Sequence, residues 1–398
     1  MRAMLLANEL IKVGHKVTII SSSFFHQRKS FRSKQTKLIK VNKKLEIIII
    51  KSCGYKKNIG LKRILDHAIL AFNLDKFLKN NKTFKPDKIF IGYPPIETSY
   101  VIIRWAKKNS IPFMLDVKDN WPENFLEPFP KRIRIIAKLF LLPYFILSKY
   151  IFINSKYISS ITESFINWIK NFSNKNHKIK ESNNTKYFLA PLVREKIFIK
   201  KIQITEILNF WHKKGIDIEK RMHFSFVGSL SNSFDYEFIY KIANFLNSYC
   251  PDYILVICGN GEKYPYLKLM FKKLKNVTLI GEVDKYNASL LIKNSIATLA
   301  PYKNNPNFQN SIPNKVIESL ENGIPFITGT KGELKNLIKD YNNGIFLNQD
   351  IKGFHELIRV TNDKNYQRVL RINAKKSYQI LFDFKKTYQK IIVNLCQI

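Results

Sequence analysis

Acidic residues are scarce in this chain: 30 Asp and Glu stand against 67 Lys and Arg, a formal net charge of +37. Such an imbalance directs attention to anionic partners, whether a membrane surface, nucleic acid or phosphorylated substrates. Lys, Ile, Asn, Phe and Tyr are abundant together, however, and AT-rich coding accounts for the same totals. No zinc spacing, base-reading basic helix or aromatic ribonucleoprotein motif is present, so no specific nucleic acid is expected. Cysteine is also sparse. Cys53, Cys250, Cys258 and Cys396 are scattered without metal or redox spacing, which argues for a reducing compartment and against a disulfide framework. No apolar run approaches the ~20 residues of a spanning helix. The longest, 139–147, holds Pro143, and no signal peptide precedes it, so an integral membrane protein is not expected. A Gly-x-x-x-x-Gly-Lys-Ser/Thr loop is missing, which disfavours a P-loop ATPase, and no Gly-x-Gly-x-x-Gly follows the first visible strand.

What remains is a globular composition, 45% hydrophobic and 13% aromatic, on a chain long enough for two domains. Patterning predicts a helix over 3–13 ended by Gly14, then strands over 17–20, 45–50, 88–91 and 112–117. Helices are expected over 61–79 and 98–108. Strands alternating with helices argue for a parallel sheet wound on both faces, with ligands outside the strands' carboxyl ends. There fall Pro94-Pro95 and the run Asp116-Val-Lys-Asp-Asn-Trp-Pro-Glu123, whose carboxylates suit either sugar positioning and proton transfer or plain capping and loop bonding. Residues 128–162 contain no acid and mix six Lys and Arg with Phe, Leu, Ile and Tyr. That suits an interfacial segment on an anionic leaflet as well as a core helix with solvated lysines. A strand over 158–162 and a helix over 163–170 follow, and 171–184 reads as loop.

The interdomain region is placed before residue 220, within a weakly patterned stretch. A second α/β series then runs through strands at 224–227, 253–258, 277–280 and 297–300. Helices are expected at 236–249, 263–274 and 288–293. Three strands end in glycine turns, at Gly228, Gly259/Gly261 and Gly281, where glycine permits close backbone approach to a ligand. The stretch from Ser311 to Ile327 organises this half. Ser311 reads as an N-cap and Pro313 as a first-turn residue; Val316, Ile317 and Leu320 form an apolar stripe, and Gly323 stops the helix before a buried strand at 324–327. Lys315 is out of place there. A first-turn cation opposes the helix dipole by ~0.3–1 kcal/mol, whereas an anion is favoured. A lysine beside free helix N–H groups makes a phosphate seat, with Glu318 able to accept from sugar hydroxyls. The plain alternative is a surface ion pair between Lys315 and Glu318. The chain's end, 350–398, is largely helical and basic, expected to cross back onto the first domain.

The residues Gly14-His15, Asp116-Val-Lys-Asp-Asn-Trp-Pro122, Phe226-Val-Gly-Ser229, Gly259-Asn-Gly-Glu262, Gly281, Ala300-Pro-Tyr302 and Ser311-Ile-Pro-Asn-Lys-Val-Ile-Glu318 resemble glycosyltransferase family 4, nearest the bacterial O-antigen and capsule type. The resemblance covers nearly the whole chain. It implies a GT-B fold, with two Rossmann-like domains facing across a cleft: 1–195 (with 376–398 returning to it) on the acceptor side and 196–375 holding the nucleotide sugar. It also implies anomeric retention, a nucleotide-sugar donor and no obligatory metal; the donor is expected to be a UDP-sugar, with no cofactor. By motif, Glu318 would bind the ribose, and Lys315 with the Gly228-Ser229 backbone the diphosphate. Gly261, Glu262 and Gly281 would lie near the base, Asn310, Ser311 and Asn314 along the donor, and Asp119 near the acceptor or reacting sugar. Asp119 and Lys315 are the implied catalytic pair.

Two departures stand out. The family often carries a Glu eight residues before the ribose Glu, and here that position is Asn310, an amide without charge. The family also begins with a strand and a Gly-rich loop, whereas this chain opens inside the following helix, so a truncated or mis-started reading frame is expected. The resulting expectation is a cytoplasmic enzyme, peripheral at the inner face of the plasma membrane. It would move a sugar, an N-acetylated amino sugar among the options, onto a lipid-linked saccharide for surface polysaccharide. The rivals are a nucleotide-sugar 2-epimerase on the same fold and a truncated, non-catalytic binding homologue.

Overall fold

The computed structural model describes residues 2–56, 60–127, 129–174, 185–348 and 351–398. The loop expected over 171–184 lies mostly outside them; where it is described, the helix Glu163–Asn174 runs on past the expected end. The chain divides into two compact units, one of Met1–Ala190 with Lys385–Ile398 and one of Pro191–Phe384.

The first unit opens with the helix Arg2–Lys12, whose Leu5, Leu6 and Ala7 are buried. Gly14 (φ 103°) takes the left-handed turn that lets the His15 N–H reach back to the Leu10 carbonyl, closing the helix. Its strands form two separate main sheets. In one, Val17–Ser22 runs parallel to Leu45–Ile50, which also pairs antiparallel with Lys37–Asn42. The sequence pattern passed over Lys37–Asn42 because all six of its residues are exposed, leaving no buried face to alternate. The other sheet is parallel, in the order Ile89–Tyr93, Phe113–Val117, Tyr157–Ser160, Lys186–Leu189. Leu74 and Leu78 of the helix Leu61–Asn80 join Ile48 and Ile50 with Val101, Ile102 and Trp105 of the helix Ile96–Lys108; Ile102 also packs on the cluster that holds Ile91 and Leu115, so that helix links the two sheets.

The second unit carries one six-stranded parallel sheet. Its order is Val277–Gly281, Ile254–Cys258, His223–Val227, Thr298–Leu299, Phe326–Thr328, Gly344–Phe346. Numbered within the unit this is 3-2-1-4-5-6, a doubly wound sheet whose strand order reverses between His223–Val227 and Thr298–Leu299. Every residue of Ile254–Cys258 is buried, as are Phe224, Ser225 and Phe226, because helices cover both faces. One of those helices, Lys201–Lys213, buries Ile207 and Trp211 and falls in the stretch that lacked a readable pattern. Doubly wound sheets bind ligands at the carboxyl ends of the strands where the order reverses. That places attention on the turn after Val227.

Candidate functional site

The helix bearing Lys315 spans Asn314–Glu321 and differs from its predicted form. Its N-cap is Pro313, extended at φ −71° and ψ 154°, and no side chain caps it. Ser311 as N-cap would have put Ile312 into the first turn, yet a residue before proline is driven out of the helical region. Ser311 instead closes a short preceding helix, Pro306–Gln309, through its N–H to the Phe308 carbonyl at 3.4 Å. The stop at Gly323 is as expected, with φ 69° and the Gly323 N–H on the Leu320 carbonyl at 3.0 Å. Starting at Asn314, the helix leaves the N–H groups of Asn314 and Lys315 among those with no intrahelical acceptor.

Lys315 turns back under the first strand. Its ammonium donates to the Val227 carbonyl and sits 4.9 Å from the Phe226 ring centroid and 5.3 Å from that of Phe234. Burial lowers its pKa to about 8, against a smaller opposing pull from Glu318. Among the described residues Lys315 forms no ion pair, so the plain alternative of a Lys315–Glu318 pair does not hold. Glu318 is taken by Arg194, whose Nη1 lies 2.8 Å from its Oε1. The Arg194 Nε is 3.5 Å from Glu321 Oε2. Arg194 lies far upstream in a stretch with no helical or strand pattern, and nothing in the sequence singled it out.

The glycines explain how a lysine fits here. A Cβ on Gly228 (φ 148°) would stand 1.3 Å from Lys315 Nζ, so any side chain expels the ammonium. A Cβ on Gly259 would meet the Gly228 carbonyl oxygen at 1.8 Å, and one on Gly261 the Leu230 oxygen at 2.4 Å. Main-chain bonds tie the turns together: Gly228 N–H to Cys258 O (2.9 Å), Leu230 N–H to Asn260 O (2.9 Å), Gly259 N–H to Gly281 O (2.6 Å). Glu262, assigned by resemblance near the base, accepts from the Asn232 N–H (3.1 Å) and Nδ2 (2.6 Å) and so braces the loop that carries Ser229. A fifth glycine, not singled out in the sequence, belongs to this end. Gly332 (φ 78°) lets its loop press on the Gln309 carbonyl, where a Cβ would come to 2.1 Å, beside Asn310. Gly228, Ser229, Gly261, Glu262 and Gly281 thus meet at the carboxyl end of one sheet, with Lys315 beneath them.

In the first unit the charged run after Phe113–Val117 resolves into separate jobs. Asp116 is fully buried and receives Arg2 Nη2 and Nε, each at 2.9 Å, and the Ser159 hydroxyl at 2.8 Å. Glu123 accepts from Trp168 Nε1 at 2.8 Å. Trp121 is buried and stacks on His67 with centroids 5.6 Å apart. Asp116, Glu123 and Trp121 are thereby structural. Asp119 is half-buried in the turn between them, its carbonyl accepting from the Trp121 N–H at 2.9 Å.

Residues 209–377 match the family model for glycosyl transferases group 1. Among solved structures, sucrose-phosphate synthase from Thermosynechococcus elongatus superposes with a TM-score of 0.67 at 12% identity, over 100% of this chain and 92% of that one. WaaG, a glycosyltransferase involved in lipopolysaccharide biosynthesis, gives 0.65 at 13%, over 98% and 94%. HepE from Anabaena, solved with UDP, gives 0.60 at 12%, over 88% and 86%. No curated protein matches the sequence. The matched stretch contains the glycine turns of the second unit and the helix tipped by Lys315; the chain has the GT-B fold, and its residues 209–377 match glycosyl transferases group 1.

Proposed function

We propose that the protein transfers a sugar, with retention at the anomeric carbon, from a UDP-sugar to a lipid-linked saccharide in surface polysaccharide synthesis. One observation carries the donor half of this reading. A lysine ammonium with no carboxylate pair among the described residues is held beneath a glycine turn, where the sheet's strand order reverses. A diphosphate laid across Gly228-Ser229 would meet that ammonium and the first N–H groups of the helix Asn314–Glu321. Glu318, oriented by Arg194 through Oε1, presents its other oxygen to ribose hydroxyls. Complexes with UDP and UDP-glucose are known for HepE, and retention is discussed for trehalose-6-phosphate synthase, which has a TM-score of 0.67 to this chain. These likenesses support the choice of UDP and of retention here.

As the glycosidic bond breaks, negative charge collects on the leaving diphosphate, and fixed cations and N–H dipoles aimed at it lower the barrier. The acceptor hydroxyl attacks from the face the diphosphate leaves, and Asp119 is proposed to attend the acceptor. The uncharged amide of Asn310 near the donor sugar suits an N-acetylated amino sugar, whose own amide can exchange hydrogen bonds with it. The test is UDP release from UDP-N-acetylglucosamine, with and without a membrane lipid extract. Release that depends on the extract and vanishes in Lys315→Ala is expected. Epimerised donor with no release, whether or not lipid is present, would contradict it.

A further inference from the structure

We propose that the bent helix pair Lys131–Phe140 and Leu142–Ile153 is a docking surface for a bilayer with anionic head groups. The helix Arg134–Phe140 buries none of its residues. Phe140 is 82% exposed, Ile135 75% and Leu139 66%, and Ile136, Leu142 and Ile146 are exposed beside them. Six large apolar side chains on two successive helices make a patch of the kind soluble surfaces rarely leave bare without a partner. The first helix of the pair carries Lys131, Arg132, Arg134 and Lys138 among these side chains, and from 129 to 162 the sequence has no Asp or Glu. A protein partner with an apolar patch would be matched by the apolar residues alone. The unbroken run of cations adds complementarity to an anionic leaflet, where apolar tips enter the acyl boundary and basic residues stay at the head groups.

The pair rests on the membrane in this proposal and does not cross it. No single helix among the described residues is long and apolar enough to span, and these two are bent by 70°. The second is anchored from below: Ser148, Ile151 and Phe152 are buried, and the Ser148 hydroxyl accepts from the Tyr93 hydroxyl at 2.9 Å. Arg134 is likewise pinned, donating to the Phe129 carbonyl at 2.9 Å. The anchored side holds the unit's core while the other side faces solvent.

The experiment is co-sedimentation of the full chain with phosphatidylcholine vesicles, pure or mixed with phosphatidylglycerol, with no nucleotide or sugar present. Its failure would therefore leave the transfer reading standing. Partitioning to the mixed vesicles and not to the pure ones is expected. Ile135→Ser/Leu139→Ser/Phe140→Ser should lower it by roughly tenfold or more. Lys131→Gln/Arg132→Gln/Lys138→Gln should lower it by roughly a hundredfold, at about fivefold per cation. The overall charge of +37 would bind anionic vesicles without any dedicated surface, so Lys272→Gln/Lys273→Gln/Lys275→Gln, exposed in the other unit, is the control and should bind as the wild type does. An equal loss in the control, or full binding by the apolar variant, overturns the proposal. So does a concentration-dependent dimer that the apolar variant abolishes, since the face would then belong to a second copy. If the apolar variant does not fold, by circular dichroism, the two charge variants decide between these outcomes.

Discussion

Both units set a charge at the carboxyl ends of parallel strands, and they use it in opposite ways. In the first, Asp116 lies near the end of its strand and is paired from within, by the Arg2 guanidinium, the Ser159 hydroxyl and, at 3.9 Å, the Lys118 ammonium. In the second, Lys315 is partly buried, and among the described residues it is met by a carbonyl and two ring faces. A charge paired with opposite charges of its own protein fixes the fold, while one left with partial dipoles stays available to an anion. Each is a single charge in an apolar setting, and their partners separate structure from site.

The comparison breaks most visibly at the ion-paired charge. Asp116→Ala strands the buried Arg2 cation and should cost ~3–5 kcal/mol, read as a lowered unfolding midpoint in denaturant. UDP affinity of the protein that remains folded should not change. Pairing it with Arg2→Met should recover much of that loss, because an absent pair costs less than a broken one.

On the other side of the comparison, Gly228→Ala puts a methyl where the ammonium sits, at a backbone angle that costs about 1–3 kcal/mol for a non-glycine residue. Calorimetry should show UDP binding lost together with a modest drop in stability. A variant that binds UDP normally would mean Lys315 is not held by that turn.

Acidity sharpens the contrast further. Burial holds Lys315 down to about 8, below the ordinary 10.5, so between those values the unfolded chain carries a proton that the folded chain lacks. Stability therefore rises with pH across that window, and Lys315→Met should flatten the rise. Donor affinity should fall over the same window, because the diphosphate is met by the protonated form. The smallest effect is expected for Arg194→Ala. Its pair with Glu318 is partly solvated, so stability should change by ~0.2–1 kcal/mol, while donor KM should rise several-fold as Glu318 loses its orientation.

Much of this was legible in the sequence, and the misses have physical reasons. The alternation of buried strands and helices in the second unit was readable because Phe224–Val227 and Ile254–Cys258 are mostly apolar and each runs into a glycine turn. Lys315 stood out because its charge opposes its position in the helix. The strand Lys37–Asn42 was invisible because it buries nothing. The helix start was misplaced by a locally attractive serine, when the Ile312-Pro313 step had already forbidden a turn there. Arg2 and Asp116, like Arg194 and Glu318, meet only through tertiary folding, so no local pattern could announce either pair. The exposed face of the Lys131–Phe140 helix was composition before it was geometry: the sequence supplied basic and apolar residues, but not which of them remain uncovered.

The central claim is that the Lys315 ammonium grips the diphosphate of a nucleotide, and a binding cycle tests it most directly. Isothermal titration of the wild type and Lys315→Ala with UDP and with uridine separates the lysine's interaction with the diphosphate from its effect on the rest of the ligand. The account predicts that wild type prefers UDP by a wide margin, and that the margin nearly closes in the variant while uridine binding is little changed. A preference for UDP that survives intact in Lys315→Ala would contradict it.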